Sequence, residues 1–290
     1  MKIITDRGCD ITPEQMKELD IRFAPMKLTL DGKTYSSGVD LDPVEFYELM
    51  NQTEAMPVTS QATVGDFVEL YTRVAAEDPE ILSIHISSGL SGTLNSATTA
   101  AAMVPQARVT HWDSLTLSAP QAWQVEAAAL AAKAGWSIHQ IVEMLAKLRQ
   151  ATEGIFTVET LKYLIHGGRI SHLQGMIASL LQIRPIIAVE KEIGKYYTLG
   201  KERTTPKALA KLAQSITRFI PEGNPIRVQL LHANNPEAVV RLKEEVEKLF
   251  TCHWIPTVHV GPILGAHTGS SLVGLCIAPL MLWQELVPIK

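Results

Sequence analysis

The chain has 290 residues, 46% of them hydrophobic and 19% charged, with a formal net charge of −4. That is ample apolar material for two domains or one large one. The mild charge, without a basic stripe or interleaved aromatics, excludes nucleic acid as an expected partner. Cys9, Cys252 and Cys276 are widely spaced and form neither C-x-x-C nor a zinc spacing, so no metal is expected and a reducing compartment is the simplest setting.

Residues 2–5 read as a short strand, not a signal peptide, and leave through the loop 6–10. Thr12-Pro13-Glu14 opens a helix, with Thr12 as cap and Pro13 at the first helical position. A strand is predicted over 21–30, with a hairpin turn at Asp31-Gly32 into 33–35. Asp42-Pro43 starts a helix to about residue 50. The segment 58–61 is extended, and Thr63 with Asp66 opens the next helix.

The stretch 81–97 holds the most chemistry. Residues 81–86 form an apolar strand, 87–92 carry three serines and two glycines, and 93–103 turn helical and alanine-rich. Strand, Gly/Ser loop and helix aim hydroxyls and backbone N–H groups at one point, where a helix dipole also favours an anion. The loop is neither a P-loop nor a dinucleotide fingerprint, and Gly89-Leu90-Ser91-Gly92-Thr93 misses the G-x-S-x-G elbow at its last position. On pattern alone it is equally an ordinary turn with capping serines.

A strand at 108–112 and helices over 119–134 and 138–149 complete a βα alternation. This predicts a doubly wound parallel sheet for residues 1–152, with ligands beyond the carboxyl ends of its strands. Residues 153–290 read as an α+β domain. Its expected strands are 155–158, 185–189, 195–199, 226–233, 252–260 and 272–278, with helices over 160–165, 173–181, 206–219 and 236–250. The apolar run 272–283 is too short to span a bilayer and is broken by Pro279, which leaves a cytoplasmic protein as the expectation.

Taken together, the motifs resemble the DegV family of bacterial fatty-acid-binding proteins. The matching residues are Thr5-Asp6 with Cys9-Asp10, Thr59-Ser60-Gln61, and Ser87-Ser88-Gly89-Leu90-Ser91-Gly92-Thr93. Further on come Glu159-Thr160-Leu161-Lys162-Tyr163-Leu164 with Gly167-Gly168-Arg169-Ile170-Ser171, and Gly265-Ala266-His267-Thr268-Gly269. The resemblance implies a two-domain fold, a long acyl chain in a tunnel between the domains, and no cofactor. It implies that Thr59 and Ser91 hold the ligand carboxylate with His267 nearby, and the adjoining Ser60, Gly92 and Thr268 are assigned to the same site. A separate fatty acid kinase would phosphorylate the carboxylate to an acyl phosphate, contacting Arg169, Arg203 and His267. The binding subunit itself would have no ATP site and would touch membrane only transiently, for loading. Three features depart from the pattern: Arg7 where a serine is usual, Ser270-Ser271 after His-Thr-Gly, and a longer tail over 280–290.

Physical chemistry supports the carboxylate assignment. A carboxylate held for reaction is better served by neutral donors than by a buried ion pair that is costly to break. The stripe Ile170, Leu173, Met176, Ile177 and Leu180 has helical spacing and suits a tunnel wall, as it would equally suit plain core. His267 could be a turn histidine, Arg169 a helix cap, and Arg203 part of a solvated face. Two other readings remain open: a self-sufficient hydrolase or transferase built on Ser91, and a lipid transport or sensing module without a kinase.

Overall fold

The computed structural model describes residues 1–170 and 183–288. Short polar side chains set where several helices begin. Thr12, Thr63 and Ser137 each accept the N–H three residues on, and Gln15, Asp66 and Gln140 return the bond as capping boxes.

The N-terminal part runs β1 (Lys2–Asp6), α1 (Pro13–Leu19), β2 (Ile21–Ala24), β3 (Lys27–Leu30), β4 (Lys33–Ser36), α2 (Pro43–Asn51) and β5 (Val58–Ser60). It continues through α3 (Val64–Ala75), β6 (Glu80–His85), α4 (Thr93–Ala101), β7 (Arg108–Asp113), α5 (Ser118–Lys133) and α6 (Ile138–Ala151). The remainder comprises β8 (Glu153–Thr157), α7 (Lys162–His166), β9 (Arg184–Val189), β10 (Tyr196–Glu202), α8 (Thr205–Ser215), β11 (Pro225–His232) and α9 (Pro236–Glu247). The last elements are β12 (Thr251–His259), α10 (Pro262–Thr268), β13 (Val273–Pro279) and α11 (Leu280–Leu286).

Among the described residues the strands form three sheets. The first is parallel, in the order β2-β1-β6-β7, with α3 and α4 on one face and α1 and α5 on the other. This is the doubly wound arrangement expected from the alternation. The second sheet is mixed, in the order β10-β9-β8-β13-β11-β12, with only β11 and β12 parallel. Helices α8 and α9 cover its outer face through Leu209, Leu212, Leu242 and Val246. The fold is therefore α/β, with a parallel N-terminal region and a mixed C-terminal one.

The third sheet, β4-β3-β5, corrects one expectation. The strand predicted over 21–30 is two strands in two different sheets. Pro25 lacks an N–H and cannot continue a ladder, so β2 ends at Ala24 and β3 begins at Lys27 with new partners.

Helix α5 joins the two larger sheets. It packs on β1 and β6 of one and on β8 and β13 of the other, which is why twelve of its sixteen residues are buried without an amphipathic stripe. Trp123 on α5 donates its indole N–H to Gln229 Oε1 on β11 at 2.7 Å. The guanidinium of Arg227, also on β11, lies over the Trp123 and Trp283 rings at 4.5 and 3.7 Å.

A second junction lies at the β9–β10 turn. The Ser87 hydroxyl donates to Gly194 O at 2.7 Å, and a methyl group at Gly89 would run into the Ile193 carbonyl oxygen. Lys191 in the same turn pairs with the buried Glu153 at 2.5 Å. Backbone meets backbone here, so no rotamer change relieves the contact. Gly89→Ala is expected to destabilise the protein by about 2 kcal/mol or more. Gly65→Ala, whose nearest neighbour is Thr63 Oγ1 at 3.7 Å, should leave stability unchanged or raise it. Urea unfolding midpoints of the two variants check this contrast.

Candidate functional site

The loop after β6 folds back on itself. Ser87 O accepts the N–H groups of both Leu90 and Ser91 at 3.0 Å, so the loop presents hydroxyls more than backbone donors. Ser91 Oγ sits 2.8 Å from Thr93 Oγ1, and the Thr93 N–H donates to it at 3.3 Å. Thr59 arrives from β5, and its Oγ1 lies 2.8 Å from His267 Nε2 on α10. Arg169, just after α7, donates its Nε–H to Leu90 O at 3.2 Å and another N–H to Gly167 O. The Thr59, Ser91, His267 and Arg169 side chains, with Gln61 and Ile86, border a small cavity of about 30 Å³.

His267 sets the electrostatics. Burial, then the Arg169 cation, then His166 push its pKa down from 6.5 to about 4, so the ring is neutral at pH 7. It lies flat on Gly167, where a methyl group would collide with Nδ1. Nδ1 is buried without a hydrogen-bond partner. The tautomer protonated at Nε2 donates to Thr59 Oγ1 and frees the threonine hydroxyl hydrogen to point into the cavity. Arg169 meets only neutral carbonyls among these contacts, so the cavity wall keeps a positive charge.

An apolar cavity of similar size, about 30 Å³, adjoins the first and shares Leu117, Tyr196 and Leu264 with it. Pro120, Phe156, Val189 and Leu231 line it further in. Phe156 and Tyr196 meet edge to face, with centroids 5.5 Å apart. A cavity bordered by hydroxyls and a cation beside a wholly apolar neighbour suits an amphiphile with a small anionic head.

The structure brings Thr59, Ser91, His267 and Arg169 to one cavity wall. Ser60 is exposed on β5, because alternate strand residues face opposite ways. Gly92 lies where a side chain would strike Gln61 Oε1, so it admits Gln61 and does not itself line the cavity. Thr268 donates to Leu264 O at 3.1 Å and borders the apolar compartment. Arg203 is exposed, with its carbonyl accepting from Arg184. Ile170 is buried in the core. Leu173, Met176, Ile177 and Leu180, and the helix expected over 173–181, lie outside the described residues. Tyr196, Leu117 and Leu264 carry no local sequence signal; only packing between distant segments places them here. Gln61 could have been read from its motif, and its amide donates to Ser96 Oγ at 2.8 Å.

Among the described residues, no three His, Cys, Asp or Glu side chains group as metal ligands, and no helix is long and apolar enough to cross a membrane.

Comparison with known proteins gives a consistent result. A family profile described as an uncharacterised protein, DegV family, matches residues 1–280. A DegV domain-containing protein of Halalkalibacterium halodurans is 34% identical over 274 residues, covering 94% of this chain and 96% of that one. The structure of a Thermus thermophilus DegV family protein, described by its fatty acid binding, superposes with a TM-score of 0.87 at 28% identity, covering 96% of this chain and 99% of that one. A stearic-acid-binding protein of Eubacterium ventriosum superposes with a TM-score of 0.88 at 25% identity, covering 96% and 98%.

The neutral buried histidine predicts a pH dependence. The unfolded chain protonates His267 near its ordinary 6.5 and the folded chain only near 4. The unfolded state therefore binds more protons in that window, and stability falls as pH drops through it. Asp10, raised from 3.8 to about 6 by burial against the opposing Ser118 and Gly261 hydrogen bonds, acts in the opposite sense. Comparing His267→Gln with wild type isolates the histidine. The wild-type urea midpoint should fall relative to the variant between pH 6.5 and 4; identical pH profiles would contradict a neutral His267.

Proposed function

We propose, because this chain belongs to the DegV family and carries the paired cavities just described, that it binds a long-chain fatty acid. We propose further that it presents the carboxylate to a separate ATP-dependent kinase for acyl-phosphate formation. The observation that carries the reading is the adjacency, across the shared walls of Leu117, Tyr196 and Leu264, of a cavity bordered by the Thr59 and Ser91 hydroxyls and an apolar one.

In this reading residues 1–152 supply the anion loop and residues 153–290 close the tunnel. The Thr59 and Ser91 hydroxyls donate to the carboxylate, His267 holds Thr59 in its donating orientation, and Arg169 offsets the ligand's charge. Chain burial supplies most of the affinity: about fourteen methylenes at ~0.8 kcal/mol each give roughly 11 kcal/mol before association costs. Arg169 and Arg203 remain the proposed kinase contacts. The exposure of Arg203 supports its part, while Arg169 also borders the anion cavity.

The alternative of a serine nucleophile is less well supported. Ser91 Oγ is paired with Thr93, and His267 Nε2 with Thr59, whereas an activated serine needs a base on its own hydroxyl.

Mass spectrometry of the purified, denatured protein should release a stoichiometric fatty acid. Thr59→Ala and Ser91→Ala should each weaken fatty-acid binding by about ten- to a hundredfold, the loss of one hydrogen bond to a charged group. The isolated chain with ATP and fatty acid should form no acyl phosphate. Turnover by the chain alone would overturn the carrier reading.

A further inference from the structure

Beneath the anion loop runs a fully buried hydrogen-bond chain whose residues line neither cavity described above. Tyr71 OH lies 2.8 Å from Ser83 Oγ, Ser83 Oγ 2.7 Å from His85 Nε2, and His85 Nδ1 3.0 Å from Asp6 Oδ2. Asp6, Ser83 and His85 have no solvent exposure. Carboxylate, imidazole and hydroxyl stand in the order of a nucleophilic triad. A nucleophile must be reachable, however, and this serine has no solvent exposure, while its histidine packs edge-on against the Phe67 ring at 5.1 Å.

The chain ends on backbone. Asp6 Oδ2 also accepts the Ile86 N–H at 2.9 Å, and Oδ1 accepts the Gly8 N–H at 2.8 Å. Ile86 borders the anion cavity and leads directly into Ser87, whose carbonyl gathers the Leu90 and Ser91 N–H groups. Gly8 lies so close that a methyl group there would meet Ile86 Cδ1 at 2.7 Å. The aspartate thus ties the end of β1 to the first residue of the loop that aims Ser91.

We infer that Asp6, oriented by the His85–Ser83–Tyr71 chain, is a positioning residue for the carboxylate site: it sets where Ser91 points without touching the ligand. Burial raises the Tyr71 phenol pKa, so its proton stays available to Ser83. Ser83 can then donate to His85 Nε2, leaving Nδ1–H for Asp6, so each donor in the chain finds an acceptor. Asp6→Asn keeps the shape but places an NH2 group against an N–H, whichever way the amide turns.

This inference rests on the fatty-acid reading, and the test separates the two. Palmitic acid and hexadecanol, which share a chain but not a carboxylate, are titrated into wild type, Asp6→Asn and Ser83→Ala. Wild type should bind the acid. Asp6→Asn should lose about tenfold or more in affinity for the acid, with affinity for the alcohol held within about threefold. Ser83→Ala, which leaves Asp6 in place but unties His85, should show a smaller loss with the same selectivity. Equal loss of both ligands in a folded variant, or no loss of either, would overturn the positioning role and leave a structural one. If Asp6→Asn does not fold, the selectivity of Ser83→Ala decides in the same way. Failure of wild type to bind the acid would instead sink the fatty-acid reading itself.

Discussion

The bond between the Ser87 hydroxyl and Gly194 O, made across 107 residues of sequence, is the contact on which the site depends. It fixes the Gly/Ser loop of the parallel sheet against a hairpin turn of the mixed sheet. Glycine on both sides lets backbone approach backbone: Gly194 has φ of 64°, and a side chain there would strike Ser87. With Asp6 holding Ile86 from below and Arg169 holding Leu90 O from the side, the loop is restrained from three directions. A hydroxyl that must meet a mobile ligand gains from this, because its orientation is settled before binding.

The same junction explains the division of labour between polar and apolar space. The hydroxyls of Thr59 and Ser91 come from loop and edge-strand positions of the N-terminal part, and the apolar walls at Phe156, Val189 and Tyr196 come from the second sheet. In the proposed reading a charged head and a hydrocarbon tail are satisfied together where the two meet. His267 lies between the two: it is sufficiently buried to stay neutral and is hydrogen-bonded to Thr59, which in the proposed reading faces the ligand head. A permanently charged histidine there would bind a carboxylate as a buried ion pair, which is costly to open again.

The parts of this arrangement legible in the sequence are the local ones. The caps at Thr12, Thr63 and Ser137, the strand–loop–helix at 80–101 and the βα alternation follow from signals within a few residues. The split at Pro25 is equally local, because a proline without an N–H cannot continue the ladder. Helix α10, absent from the sequence reading, is seven residues long and almost wholly buried, so it carries no amphipathic signature. For the site, Thr59, Ser91 and His267 were named through motif resemblance, whereas Tyr196, Leu117 and Leu264 were invisible. Their roles arise from which distant segments pack together, and no spacing within the chain records that.

The most direct test of the central claim is a crystal structure of the protein with palmitate bound. The account predicts the carboxylate within hydrogen-bonding distance of both Thr59 Oγ1 and Ser91 Oγ, and the acyl chain passing Leu117 and Tyr196 into the compartment lined by Phe156 and Leu231. A carboxylate that engages neither hydroxyl, or a chain lying outside that compartment, would contradict it.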